Sequence, residues 1–106
     1  FRGDGMVGYA YVAAKAAVVN VVRQAAIDLA PHNVLVNGIA PGPFRTNIGG
    51  GRMHEAQTDR LFAQRLPLQR IGHPHEIKGA ALLLASRASS FMTGTVIGVD
   101  GGALAW

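Results

Sequence analysis

The sequence predicts an α/β fold with a parallel sheet, and three observations carry that reading. Residues 9–30 hold apolar side chains at three- and four-residue spacing, the period of a helix that turns one side to a core. Two runs, Val34-Leu35-Val36-Asn37-Gly38-Ile39-Ala40 and Thr95-Val96-Ile97-Gly98-Val99, are nearly continuously apolar rather than alternating. That pattern suits strands covered on both faces. The first run passes directly into Pro41-Gly42-Pro43-Phe44-Arg45-Thr46, and the carboxyl end of a strand is where open α/β sheets bind ligands.

Composition narrows the class. At 106 residues with 49% of them apolar, the chain has room for one small domain at most. It contains no cysteine, which removes disulfide support and thiol chemistry. No apolar run is long enough to cross a membrane as a helix, and no charged-then-apolar leader opens the sequence. A cytoplasmic address is therefore the default expectation. The net charge of +4 is spread thinly, with a mild arginine concentration at Arg45, Arg52, Arg60, Arg65 and Arg70. Basic runs interleaved with aromatics, the mark of a nucleic-acid surface, are missing.

Taken in order, the first eight residues read as a loop. Gly3, Gly5 and Gly8 fit the spacing G-x-G-x-x-G, but no strand precedes them and Asp28 falls inside a helix, so a dinucleotide fingerprint is not expected here. The first helix covers 9–30 and ends before Pro31. Val12, Val19, Val22, Ala26 and Leu29 mark its apolar side, and Arg23, Gln24 and Asp28 its wet side. After the Pro/Gly loop, three consecutive glycines at 49–51 suit a hinge or lid. A weakly patterned helix over 53–65 stops before Pro67. A third helix starts at Pro74, with Glu76 complementing the dipole of its first turn. Ile77, Ala80, Ala81, Leu83 and Leu84 form its apolar side, and it fades at 86–90. Asp100-Gly101-Gly102 closes the second strand.

Chemistry concentrates at Tyr11-Val12-Ala13-Ala14-Lys15. Residues four apart on a helix share a face, so a phenol and an ammonium are aimed at one region. A nearby cation favours the phenolate and lowers its pKa. Moving a tyrosine from ~10 to ~7 needs about 4 kcal/mol of differential stabilisation. A partly desolvated pair beside a cationic cofactor ring can supply that; an exposed pair cannot. Alanines at 13, 14, 16 and 17 keep this turn slim enough for close approach, although high helix propensity explains them equally well.

The order of motifs resembles the C-terminal half of a short-chain dehydrogenase/reductase. The matching pieces are Tyr11-x-x-x-Lys15, Val36-Asn37 leading to Pro41-Gly42 and Thr46, then Gly72-His73-Pro74-His75-Glu76-Ile77. Leu82-Leu83-Leu84-Ala85-Ser86 follows, and Thr93-Gly94 through Val99-Asp100-Gly101-Gly102 ends the series. The resemblance implies part of a Rossmann-type doubly wound parallel sheet, with about three helices and two parallel strands. It implies an oxidoreductase using NAD or NADP to interconvert an alcohol and a carbonyl. Tyr11 matches the proton donor and acceptor; Lys15 matches the lysine that binds the nicotinamide ribose and lowers the tyrosine's pKa. Pro41, Gly42 and Phe44 match the loop beside the nicotinamide, and Thr46 the hydroxyl near the carboxamide and phosphates. Homo-oligomers, dimers or tetramers, are the expected assembly, and the partner a small-molecule substrate rather than nucleic acid or membrane.

The resemblance also defines departures. The family's serine would fall just before Phe1, and its further asparagine and glycine-rich nucleotide turn lie upstream as well. Neither Ser86 nor Asn20 substitutes, because neither precedes the helix on a strand. Residues 1–106 are thus expected to be one half of a nucleotide-binding domain whose first half is absent, and inactive in isolation. A rival reading is a non-catalytic module that pairs with a separate half or with full-length relatives. His73-Pro74-His75 invites a metal reading, but two ligands around a proline without cysteine support it poorly. A serine hydrolase is excluded by the lack of a G-x-S-x-G elbow.

Overall fold

The structure, a computed structural model, describes residues 9–45 and 56–105; of residues 9–12 and 56–58 it describes the backbone only. Two compact units are formed, one from Phe1–Gly38 with Ser90–Val96 and the other from Ile39–Ser89 with Ile97–Trp106.

In the first unit, helix α1 spans Tyr9–Leu29. It stops ahead of Pro31, as expected, and a 3-10 turn at Ala30–His32 follows it. Proline is tolerated there because the first positions of a turn have no N–H bond to lose. Asn33 ends the turn in a left-handed conformation, φ 60°, and its N–H donates to Ala30 O at 2.9 Å. The helix buries Ala26 and half-buries Val19 and Val22, while Arg23, Gln24 and Asp28 stay exposed as their spacing predicts. Leu29, expected on the apolar side, is exposed.

Strand β1 spans Gly38–Pro41 and strand β2 Val96–Val99, and they pair as a two-stranded sheet. Gly38 N–H donates to Thr95 O and Gly42 N–H to Val99 O, both at 2.9 Å. The same offset at both ends is that of parallel strands. β1 is shorter than the run 34–40, and the reason is visible in the bonding. Val36 N–H donates to the Thr93 hydroxyl rather than to a carbonyl. The Asn37 amide then donates to Met92 O at 2.9 Å and accepts from Thr95 N–H at 3.2 Å. One backbone bond is kept there, Gly94 N–H to Val36 O at 2.7 Å, side chains take the neighbouring places, and regular pairing begins at Gly38. Val34 and Leu35 are exposed, and no residue of β1 or β2 is fully buried, contrary to the expected cover on both faces.

The second unit contains helix α2, Ala56–Ala63, and helix α3, Lys78–Ala85. The segment from Pro74 opens as a 3-10 turn, Pro74–Ile77, before α3 proper begins. Another 3-10 turn, Arg87–Ser89, follows α3. Ser89 is buried there and its hydroxyl donates to Leu84 O and Ser86 O, which holds the end of the helix. Leu66 and Ile71, both buried, are the apolar centre of this unit among the described residues. The G-x-G-x-x-G match at Gly3, Gly5 and Gly8 and the three glycines at 49–51 lie outside the described residues.

Candidate active site

Tyr11 and Lys15 both belong to α1, one turn apart in the first unit. The Tyr11 side chain lies outside the description; Lys15 is exposed, and so are Ala13, Ala14, Ala16 and Ala17 around it. Pro41, Gly42 and Phe44 belong to the second unit, at and just past the carboxyl end of β1. Thr46 lies outside the described residues.

The loop after β1 is fixed by close packing of backbone. A Cβ on Gly42 would stand 2.6 Å from the Cα of Asp100, so no side chain fits between them. One bridge further on, Phe44 pairs with Gly72 as an isolated parallel pair. Gly72 N–H donates to Pro43 O at 3.0 Å and Arg45 N–H to Gly72 O at 2.9 Å. The Phe44 ring covers Gly72, where a Cβ would lie 2.8 Å from the ring edge. A cleft of about 170 Å³ opens beside this loop, lined among others by Pro43, Phe44, Leu66, Arg70 and Asp100.

Two carboxylates hold the cleft's walls. Asp100 accepts the N–H groups of Gly102 at 2.9 Å and Leu104 at 3.2 Å, closing the turn after β2. Gly102 has φ +93° in that turn, and Pro67 packs directly on it. Glu76 meets Arg70 as a two-pronged pair at 2.8 and 2.7 Å and also accepts His73 N–H at 2.8 Å. The Arg70 hydrogen bond, followed by that of the His73 N–H, holds the Glu76 carboxyl down at about 2. Glu76 was expected to complement a helix dipole; it also accepts the N–H of His73, three residues earlier, in the spacing of a capping box, while its pairing with Arg70 has no spacing signature. Asn37 and Asp100 stood in the sequence only as members of the motif series, and their hydrogen-bonding roles are set by tertiary placement. His73 and His75 stack at 5.7 Å, and no group of three or more metal-ligating side chains gathers among the described residues.

The sequence profile of a family described as Enoyl-(Acyl carrier protein) reductase matches residues 4–103. A short-chain type dehydrogenase/reductase from Mycobacterium marinum superposes with a TM-score of 0.78 and 43% identity, over 88% of this chain and 35% of that one. The chain belongs to the short-chain dehydrogenase/reductase family. Within it, 5-keto-D-gluconate 5-reductase of Escherichia coli K12 is 42% identical over 94 residues, 89% of this chain and 37% of that protein. Gluconate 5-dehydrogenase of Gluconobacter oxydans is 40% identical over 92 residues, 87% of this chain and 36% of that protein. The gluconate 5-dehydrogenase of Burkholderia cenocepacia, solved with NADP and tartrate, superposes with a TM-score of 0.83 at 35% identity, over 92% of this chain and 38% of its own. The fold is accordingly part of the Rossmann-type α/β sheet of short-chain dehydrogenases. The chain spans a little over a third of the length of the curated relatives it matches.

Proposed function

We propose that this chain carries the proton-transfer portion of an NAD- or NADP-dependent oxidoreductase that interconverts an alcohol and a carbonyl. The observation that carries the reading is the placement of Tyr11 and Lys15 one turn apart in α1 of a short-chain dehydrogenase/reductase. Tyr11 protonates the carbonyl oxygen in reduction and takes the hydroxyl proton in oxidation, and Lys15 holds the phenol near its working protonation state. The open alanine face around Lys15 fits a nucleotide that must approach the backbone closely. Pro41, Gly42 and Phe44 form the rigid loop on the nicotinamide side, and Thr46 adds a hydroxyl beside it. The nicotinamide, when bound, gives or takes the hydride.

The substrate is a small-molecule alcohol or ketone, handled in the cytoplasm by a homo-oligomer. Exposed apolar residues on both units, Val21 and Ile27 on α1 and Leu82 and Phe91 beyond it, favour assembly with further protein surface. A complete enzyme bearing these residues tests the assignment. Tyr11→Phe abolishes turnover, by about 10²–10⁴ if it removes only the proton transfer, and leaves cofactor binding nearly intact. Lys15→Met weakens cofactor binding and moves the pH–rate profile upward. A Tyr11→Phe enzyme with ordinary turnover rejects the assignment.

A further inference from the structure

The loop after β1 leans on Gly72, and the two peptide groups that meet at this glycine are each held from both ends. The Ile71–Gly72 peptide gives its N–H to Pro43 O at 3.0 Å, and its carbonyl accepts from the Arg70 guanidinium at a long 3.4 Å. The Gly72–His73 peptide accepts Arg45 N–H on its carbonyl at 2.9 Å, and its N–H donates to Glu76 at 2.8 Å. A trans peptide points its C=O and N–H in opposite directions, and no cis bond occurs among the described residues. Loop 43–45 therefore takes one side of both peptides, and Arg70 and Glu76 take the other. These two side chains are themselves joined by the two-pronged pair at 2.8 and 2.7 Å, which closes a clamp behind Gly72.

The signs of the clamp are matched to what it holds. Its cation meets a carbonyl oxygen, and its carboxylate meets an N–H. Hydrogen bonds in a chain polarise one another, so a peptide whose N–H is drawn by a carboxylate accepts more strongly at its C=O. By the same effect, a peptide whose carbonyl faces a guanidinium donates more strongly from its N–H. We infer that Arg70 and Glu76 are positioning residues for the Pro43–Arg45 loop, acting through Gly72, and that they set how firmly this loop is presented to a dinucleotide. The inference rests on the reading of the loop as the nicotinamide side of the site. Neither residue needs to touch the cofactor. A side chain at Gly72 could not take over the task, because a Cβ there would stand 2.8 Å from the Phe44 ring.

Amide hydrogen exchange of the isotopically labelled full chain gives the first test. Both clamp side chains are partly exposed, so replacing either leaves no buried charge behind. In Arg70→Met and in Glu76→Ala the Arg45 and Gly72 amides should exchange about five- to tenfold faster. The Gly42 and Ala103 amides, bonded to Val99 O and Asp100 O in the same unit, should hold their rates. Arg70→Lys keeps the charge without the fork and should fall between parent and Arg70→Met. Equal acceleration at all four amides, or none at Arg45 and Gly72, overturns the proposal. A complete enzyme bearing these residues gives the second test. Arg70→Met should raise KM for the dinucleotide by a similar factor and leave kcat and the pH–rate profile in place. Gly42→Ala displaces the same loop directly and serves as the control. If Gly42→Ala raises KM and Arg70→Met does not, the clamp is not a positioning device. If neither raises it, the loop does not serve the nicotinamide, and the proposal falls with the reading beneath it.

Discussion

The two units are built by different means. In the first, Ala26 is the one fully buried residue among those described, and Val18, Val21 and Ile27 of the same helix are more than half exposed. The unit is held by local helix bonds, by two backbone bonds (Gly94 N–H to Val36 O and Gly38 N–H to Thr95 O), and by the Asn37 and Thr93 side chains, which tie 36–37 to 92–95. In the second, Leu66, Ile71 and Ser89 are buried, and loops distant in sequence pack closely at three glycines, Gly42 on the Asp100 backbone, Gly72 on the Phe44 ring and Gly102 on the Pro67 ring. The helix proposed to carry proton transfer is thus the loosely covered part, and the loop proposed to sit beside the nicotinamide is the tightly built one. Close packing is concentrated around the loop after β1, and the helix bearing Tyr11 leaves Val18, Val21 and Ile27 exposed.

That contrast can be broken experimentally, and the largest effect should come from the buried pair. Leu66→Ala or Ile71→Ala should cost about 2–5 kcal/mol in chemical denaturation, whereas Ile27→Ser should stay within about 0.5 kcal/mol. Equal losses at the two places would erase the distinction. Next in size, Gly42→Ala drives a methyl into the Asp100 backbone and should cost about 1–3 kcal/mol. A neutral result there would mean the loop yields.

In the first unit, Asn37→Ala strips the partners from Met92 O and Thr95 N–H and should cost about 1–2 kcal/mol. Hydrogen exchange should show faster opening near Thr95 without a matching change around Leu66. The smallest effect is electrostatic. The Glu76 carboxyl is depressed in the folded chain, so its contribution is present above the unfolded carboxylate's pKa of ~4.3 and is lost as pH falls toward about 2. An acid titration of the Glu76 side-chain carbon should have its midpoint near 2 in the parent and rise in Arg70→Met. An unshifted midpoint in that variant would show that Arg70 is not the cause.

Much of this was legible in the residues. Helical spacing located α1, and the apolar run at 95–99 located β2 to within one residue. Pro41-Gly42 was read as a loop at a strand's carboxyl end; in the structure Pro41 is the last residue of β1 and Gly42 follows it. What was not legible depended on partners far along the chain. The pattern 34–40 is as apolar as a strand, but whether Val36 meets a carbonyl or a hydroxyl is decided by Thr93, 57 residues away. Nor does the continuity of an apolar run reveal how many neighbours cover it, which is why β1 and β2 are only half-buried. The Arg70–Glu76 clamp arises from tertiary placement and leaves no periodic trace.

The Asn37 clamp also bears on how the chain ages. Asn37 is followed by Gly38, and an asparagine before glycine loses ammonia readily when the next backbone nitrogen attacks its side-chain carbonyl. Here that nitrogen is occupied: Gly38 N–H donates to Thr95 O. The amide is pinned at both ends as well, to Met92 O and Thr95 N–H. The bonds that stand in for the missing ladder therefore also keep the nucleophile and its target apart. Once the strand pair opens, the protection goes with it, and a carboxylate formed at this position would set a negative oxygen against the carbonyl of Met92. Chemical damage at residue 37 would then keep the opened form from closing again.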